Sequence, residues 1–233
     1  MSDVRVLHVS QLTPTCFQAA QPKRNAKGGL RIDINYQDPN MVNQVYLLQT
    51  PRLRLPFGLG VQEHESGASS YSLPLSFDNY RNTADSTESE FLQGIQRVEA
   101  HVKALAASNS AVWFKKPMKL EVIDELFRPS LKYSEEWPPL FKCKLPYWQG
   151  RFACDIYDNR RQKSTVDIIQ QNATCICLIQ LTNLWFVDKQ FGCTWMVKQC
   201  QVFPSVSFET FLIQPGEGEE DSSADAKMIE DSD

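Results

Sequence analysis

The sequence predicts a mainly β fold of the α+β kind, in which short strands close into a barrel, one long helix is added, and an acidic tail follows. Three observations predict it. Short β-type runs recur at near-regular spacing with Gly, Pro, Asn or Asp between them, as in a closed or nearly closed barrel. A single stretch, Glu88 to Ala107, carries Phe91, Leu92, Ile95, Val98, Val102 and Leu105 at helical spacing. From Pro215 onward, large apolar residues give way to a run of acids.

The elements follow in order. Val4 to Val9 alternates as a first strand, and Leu30 to Tyr36 (LRIDINY) alternates over its whole length. Between them, Gln21 to Gly29 is a polar loop whose Lys23, Arg24 and Lys27 form either a phosphate-contacting arm or a solvated turn. Val45 to Gln49 begins another strand, and the prolines and glycines of Thr50 to Gly60 then force a turn. Glu63 to Ser70 is polar, and Tyr71 to Phe77 places Tyr71, Leu73, Leu75 and Phe77 on one face. Pro74 assigns that strand to an edge or a bulge. Asp85 and Ser86 offer N-cap residues for the helix, and Glu121 to Phe127 suggests a second, short helical piece. Beyond it, strands are expected at 140–146, 151–157, 165–169, 174–186 and 191–203, the last two joined as a hairpin through 187–190.

Charge divides the chain into two parts. Residues 215–233 hold eight acids against Lys227, a charge of −7, whereas residues 1–214 hold 23 Lys plus Arg against 20 Asp plus Glu, a charge of +3. The weakly basic body is expected to be one domain over residues 1–214. The tail buries too little apolar surface to offset its ordering entropy and is expected to be disordered over residues 215–233. It either solubilises the protein or mimics nucleic-acid charge.

Met1 to Ser10 reads as a strand and not as a basic cluster followed by an apolar run, so an unexported protein is expected. Cys175 to Val187 is too short and too polar for a bilayer, which needs about 20 helical residues. Seven cysteines without paired spacings fit reduced thiols. Cys175 and Cys177 share one strand face, but no second pair at zinc-finger spacing joins them, so core thiols are expected. His8, His64 and His101 are isolated in sequence, and no phosphate loop, nucleophile elbow or dinucleotide fingerprint is present. A non-enzymatic protein without metal or cofactor is expected.

What the chain offers instead is aromatic residues interleaved with bases. Binding an unpaired strand needs cations for phosphates and aromatic faces for bases. Trp113, Lys115 and Lys116; Lys132 and Tyr133; Lys142 and Lys144; and Tyr147, Trp148 and Arg151 meet that need locally, and Arg160 and Arg161 add a basic turn. In Leu140 to Pro146 the two lysines share one strand face, with Phe141, Cys143 and Leu145 on the other. Trp185, Phe186 and Trp195 lie inside long apolar strands and are expected in the core. Trp148, between Pro146 and Gly150, is as well placed for exposure as for burial.

Leu48 to Leu59 (LQTPRLRLPFGL), Tyr71 to Phe77 (YSLPLSF), Pro139 to Leu145 (PLFKCKL), Trp185-Phe186 and Phe191 to Gln199 (FGCTWMVKQ) together resemble the signature blocks of a family from nucleocytoplasmic large DNA viruses. That family is similar to phage replication-type single-stranded DNA-binding proteins with an OB fold. The resemblance implies an OB-like Greek-key barrel elaborated by the helix, a viral origin, and a role in DNA replication, recombination or repair. The expected mechanism is sequence-independent binding of single-stranded DNA, or RNA, in one cleft. Lys142, Lys144, Arg151, Lys115 and Lys116 would hold phosphates while Tyr147 and Trp148 stack bases. Expected partners are the strand itself, replication proteins reached through the acidic tail and a second copy in a homodimer, with no membrane. The expected setting is the host cytoplasm, in a viral factory, or the host nucleus. A viral structural or scaffold protein is the alternative. Phage relatives end their acidic tail in an aromatic residue, whereas this chain ends in Asp233.

Overall fold

A computed structural model describes residues 3–24, 29–39, 44–65, 67–81 and 87–205. The chain begins with β1 (Asp3–Leu7), β2 (Phe17–Ala19), β3 (Lys23–Arg24), β4 (Leu30–Tyr36), β5 (Gln44–Gln49), β6 (Leu53–Arg54), β7 (Gly60–Glu63) and β8 (Ser69–Ser76). Helices α1 (Thr87–Ser108), α2 (Ser110–Trp113) and α3 (Leu120–Leu126) follow. Next come β9 (Phe127–Arg128), β10 (Leu131–Lys132), β11 (Leu140–Leu145), β12 (Tyr147–Trp148), β13 (Arg151–Phe152), β14 (Asp155–Tyr157) and β15 (Lys163–Ser164). Two 14-residue strands end the series, β16 (Thr174–Val187) and β17 (Gln190–Phe203).

Strand pairing closes a ring. β16 pairs with β6, β6 with β8, β8 with β11, β11 with β17, and β17 returns to β16. Four junctions are antiparallel, and β11 meets β17 in parallel at Lys144↔Met196. The result is a five-stranded OB-like barrel, a mainly β architecture in which closure leaves the ring itself without a free edge.

Alternation along the strands fills it. Leu73 and Leu75 from β8, Phe141, Cys143 and Leu145 from β11, and Val197 and Cys200 from β17 are all fully buried. The alternation skips a step between Val197 and Cys200, where consecutive Leu178 and Ile179 of β16 face Gln199 and Val197, so that Lys198 is the extra residue of a bulge in β17. Helix α1 covers the barrel with the face the sequence marks: Phe91 stacks near Phe77 (6.3 Å) and meets Phe141 edge-on (6.1 Å). Burial pushes the Glu99 carboxyl up, and that carboxyl accepts the Ser130 backbone N–H (2.6 Å), tying the approach to β11 onto the helix. Among the described residues no helix is long and apolar enough to cross a membrane.

Several local expectations are refined. Pro74 lies on an internal strand, but it falls in the gap between β7, which pairs with Ser69–Ser72, and β6, which pairs with Ser76. No ladder bond there requires the N–H that proline lacks. Residues 165–169 form a 3-10 turn and not a strand, because the Thr165 hydroxyl donates to Asp167 and the Ile169 N–H closes on the Val166 carbonyl. The strand expected at 151–157 breaks after Phe152, since β13 pairs with β12 and β14 pairs with β17. Lys23 and Arg24 are in the short strand β3, and Lys23 pairs with Asp33 (3.0 Å). Lys27, Asp85, Ser86 and the acidic tail lie outside the described residues.

Candidate nucleic-acid interface

Because Phe141, Cys143 and Leu145 point into the barrel, Lys142 and Lys144 stand on the outer face of β11. Their partners across β8 are Pro74 and Ser72, too short to cover them. Neither lysine is ion-paired to a carboxylate among the described residues. They form one wall of a groove of about 340 Å³ whose other walls include His64, Tyr71 and Trp185.

Trp185 reaches this groove through its cross-strand partner. It lies opposite Gly192 in the β16–β17 ladder, and a Cβ at Gly192 would sit 2.7 Å from the Trp185 ring. The missing side chain therefore lets the indole lie across the neighbouring strand. The next residue, Phe186, faces the opposite side and packs on Phe114 and Phe191. Trp195 lines the groove floor while almost wholly buried, and its indole N–H has no acceptor among the described residues.

Beyond one end of the groove is the β12–β13 hairpin. Tyr147 and Phe152 each lie 4.8 Å from the Tyr71 ring and from one another, so three aromatic rings root the hairpin on the groove wall. Gln149 and Gly150 make its two-residue turn, both with positive φ (48° and 79°). Trp148 and Arg151 pair across it at the outermost point, and Trp148 is 74% exposed.

At the other end of β11, Leu140 pairs with Lys132 on β10 and with Ser76 on β8. Here a cleft of about 520 Å³ is lined by Phe57, Lys132, Tyr133, Trp137 and Arg54. Phe57, Tyr133 and Trp137 are 66%, 57% and 69% exposed. The Tyr133 hydroxyl accepts a hydrogen bond from Gln96 (2.7 Å). Arg54 is committed to Asp78 through two N–H groups and to Asn172. That pairing holds the Asp78 carboxyl below its usual range and raises the guanidinium. Lys132 is the cleft cation without an ion pair among the described residues.

The structure thus brings Lys132, Tyr133, Lys142 and Lys144 onto the outer side of β10 and β11, with Tyr147, Trp148 and Arg151 on the adjoining hairpin. It does not bring Trp113, Lys115 or Lys116 there. Trp113 is 6% exposed and packs edge-on against Phe186 (6.0 Å), so it offers no stacking face. Lys115 and Lys116 line a separate cleft with Phe186, across the β16–β17 hairpin from Trp185. Arg160 and Arg161 sit in a turn organised by Asp158, and Arg161 lines another depression beside Tyr157 and Gln199.

Trp185, expected in the core, is half-buried in the groove, and Phe57 and Trp137 lie outside the interleaved base-and-aromatic clusters of the sequence. Prolines flank both of the latter, in Pro56-Phe57 and Trp137-Pro138-Pro139. That context is the available signal, since prolines are concentrated in turns, edges and bulges.

The His64 ring lies 3.0 Å from the Ser70 hydroxyl in the groove. No carboxylate orients the other ring nitrogen among the described residues, so the third member of a nucleophile–base–orienter set is not in place there. Cys175, Cys177 and Cys200 gather their sulfurs inside the barrel, at 3.7 Å and 3.6 Å for the two pairs that include Cys177. Hydrogen bonds to its two neighbours and burial push the Cys177 thiol well up.

Residues 84–212 match the model of a family of unknown function, DUF5871. An uncharacterized protein, L291, of Acanthamoeba polyphaga mimivirus is 26% identical over 194 residues, which are 80% of this chain and 32% of that protein. The chain thus spans about a third of the length of that relative. Among solved structures, gp2.5, a single-stranded DNA-binding protein of bacteriophage T7, gives a TM-score of 0.47 at 10% identity, over 73% of this chain and 98% of that one. A single-stranded DNA-binding protein from bacteriophage Enc34, in complex with single-stranded DNA, gives 0.40 at 13% identity, over 82% and 97%. At these scores neither likeness bears on what this chain binds.

Proposed function

The chain belongs to the family of unknown function DUF5871, and from that premise we propose that it is a non-enzymatic protein binding single-stranded DNA without sequence preference. The observation that carries this reading is the row of Lys142 and Lys144 on the outer face of β11, unpaired among the described residues and flanked by the half-buried Trp185 and the exposed Trp148. Two cations one pleat apart, about 7 Å along the strand, suit phosphates two stacked nucleotides apart at ~3.4 Å each. Aromatic faces beside them suit unstacked bases, and every base has such a face. The groove is open along β11 and lacks the enclosing walls of a small-molecule pocket.

The proposed setting is viral DNA replication, recombination or repair in the host cytoplasm or nucleus, and the mimivirus relative supports a viral origin. In the same reading the acidic tail contacts replication proteins. Fluorescence anisotropy with labelled oligo-dT, oligo-rU and duplex DNA at two salt concentrations tests the proposal. Salt-sensitive binding of oligo-dT that exceeds duplex binding is expected. Absence of oligo-dT binding at low salt would remove the proposal and favour a structural protein with protein partners.

A further inference from the structure

We infer that the cleft of Phe57, Tyr133 and Trp137 is a second base-stacking subsite, and that one strand runs along the outer face of β11 from this cleft to the β12–β13 hairpin. The inference rests on the proposed single-strand binding and adds its path and length.

Three large aromatic side chains stand more than half exposed around one cleft. Clusters of this kind mark contact surfaces, because apolar surface in water is unfavourable. The cleft's volume of about 520 Å³ is in the range that encloses small planar ligands such as one or two bases. Its charge also selects. Arg54 is neutralised by Asp78, which leaves Lys132 at the wall to meet a single phosphate.

Continuity favours a nucleic-acid strand over a peptide as the occupant. Leu140 lines the cleft and Lys144 lines the groove, four residues apart on one strand and alternating outward with Lys142 between them. That separation is about 13 Å at ~3.3 Å per residue, the length of about four nucleotides at ~3.4 Å per stacked nucleotide. A chain stacked in the cleft must therefore cross both lysines before it reaches Tyr147 and Trp148. The full path corresponds to roughly eight to ten nucleotides, within the site sizes of OB-type domains.

The test uses the full chain with oligo-dT of about four and about ten nucleotides. Wild type is expected to bind the longer oligonucleotide far more tightly. The double variant Phe57→Ala/Trp137→Ala should lose roughly 5- to 150-fold per stacked base on the long oligonucleotide. Trp137→Phe, which keeps a ring, should retain most of the affinity and guards against a folding defect in the double variant. A bromodeoxyuridine placed at one end of the long oligonucleotide should cross-link to Trp137, and at the other end to Trp148.

Wild-type binding that is strong but unchanged in the double variant, with no cross-link to Trp137, would overturn the inference and leave the cleft to a protein segment. Failure of wild type to bind either oligonucleotide would overturn the single-strand reading itself, and the subsite with it.

Discussion

Removing the two lysines of β11 separates the contribution of charge from that of stacking. The perturbation is Lys142→Ala/Lys144→Ala. Both side chains are exposed and the β11 interior is untouched, so the change in folding stability should stay within about 0.5 kcal/mol. Four cations lie along the inferred path: Lys132, Lys142, Lys144 and Arg151. If each neutralises one phosphate, counterion release on a single strand gives a slope of log K against log salt of about −2.8, at ~0.7 per contact.

The double variant should bring that slope to about −1.4. The same relation sets the affinity loss: about 14-fold at ~0.15 M salt and about 70-fold at ~0.05 M, converging towards no difference near 1 M. The assay is anisotropy of labelled oligo-dT of about ten nucleotides over a salt series, with circular dichroism as the folding control. A variant with an unchanged slope, or one whose loss is the same at every salt concentration, would show that these lysines do not meet phosphates and refute the reasoning.

Three other outcomes follow from single features. Trp148→Ala, at the exposed tip of the hairpin, should weaken binding by about 1–3 kcal/mol with little dependence on salt, and leave the thermal midpoint in place. Gly192→Ala puts a Cβ 2.7 Å from the Trp185 ring and 2.8 Å from the Arg128 carbonyl oxygen; it should destabilise the protein by about 1–3 kcal/mol and change Trp185 fluorescence. Arg54 holds the Asp78 carboxyl below its ordinary 3.8, so the ion pair adds stability above that value and loses it as pH falls through the lowered one. The thermal midpoint of Asp78→Asn should therefore vary less with pH below about 4 than that of wild type.

The barrel was legible wherever a strand reports its own two faces. LFKCKL states by period alone that Lys142 and Lys144 leave the core, and the α1 face is equally plain from Phe91, Ile95, Val98 and Val102. Ladder partners are not written locally. Trp185 has the sequence context of a core residue, and it is the absent side chain of Gly192, seven positions on, that lets its ring lie towards the groove. Residues 165–169 have β-type composition, but the Ile169 N–H bonds the Val166 carbonyl and the Thr165 hydroxyl bonds the Asp167 carboxylate, closing a local turn in place of a ladder.

Interleaved bases and aromatics divide into separate places for the same cause, the ladder partners that local sequence does not state. Trp113, Lys115 and Lys116 have the local composition of Lys132 with Tyr133, yet the β16–β17 hairpin stands between them and Lys142. Composition within a few residues establishes that a cation and a ring are neighbours. Only the closing pairs of the ring, β11 with β8 and β11 with β17, decide which neighbours share a wall. Phe57 and Trp137 are 80 positions apart and meet because Leu53–Arg54 and Leu131–Lys132 are each pinned near the same end of the β8–β11 pair. A nucleic-acid surface on a closed barrel is therefore a property of strand order, and its sequence signature is partial even where each strand is read correctly.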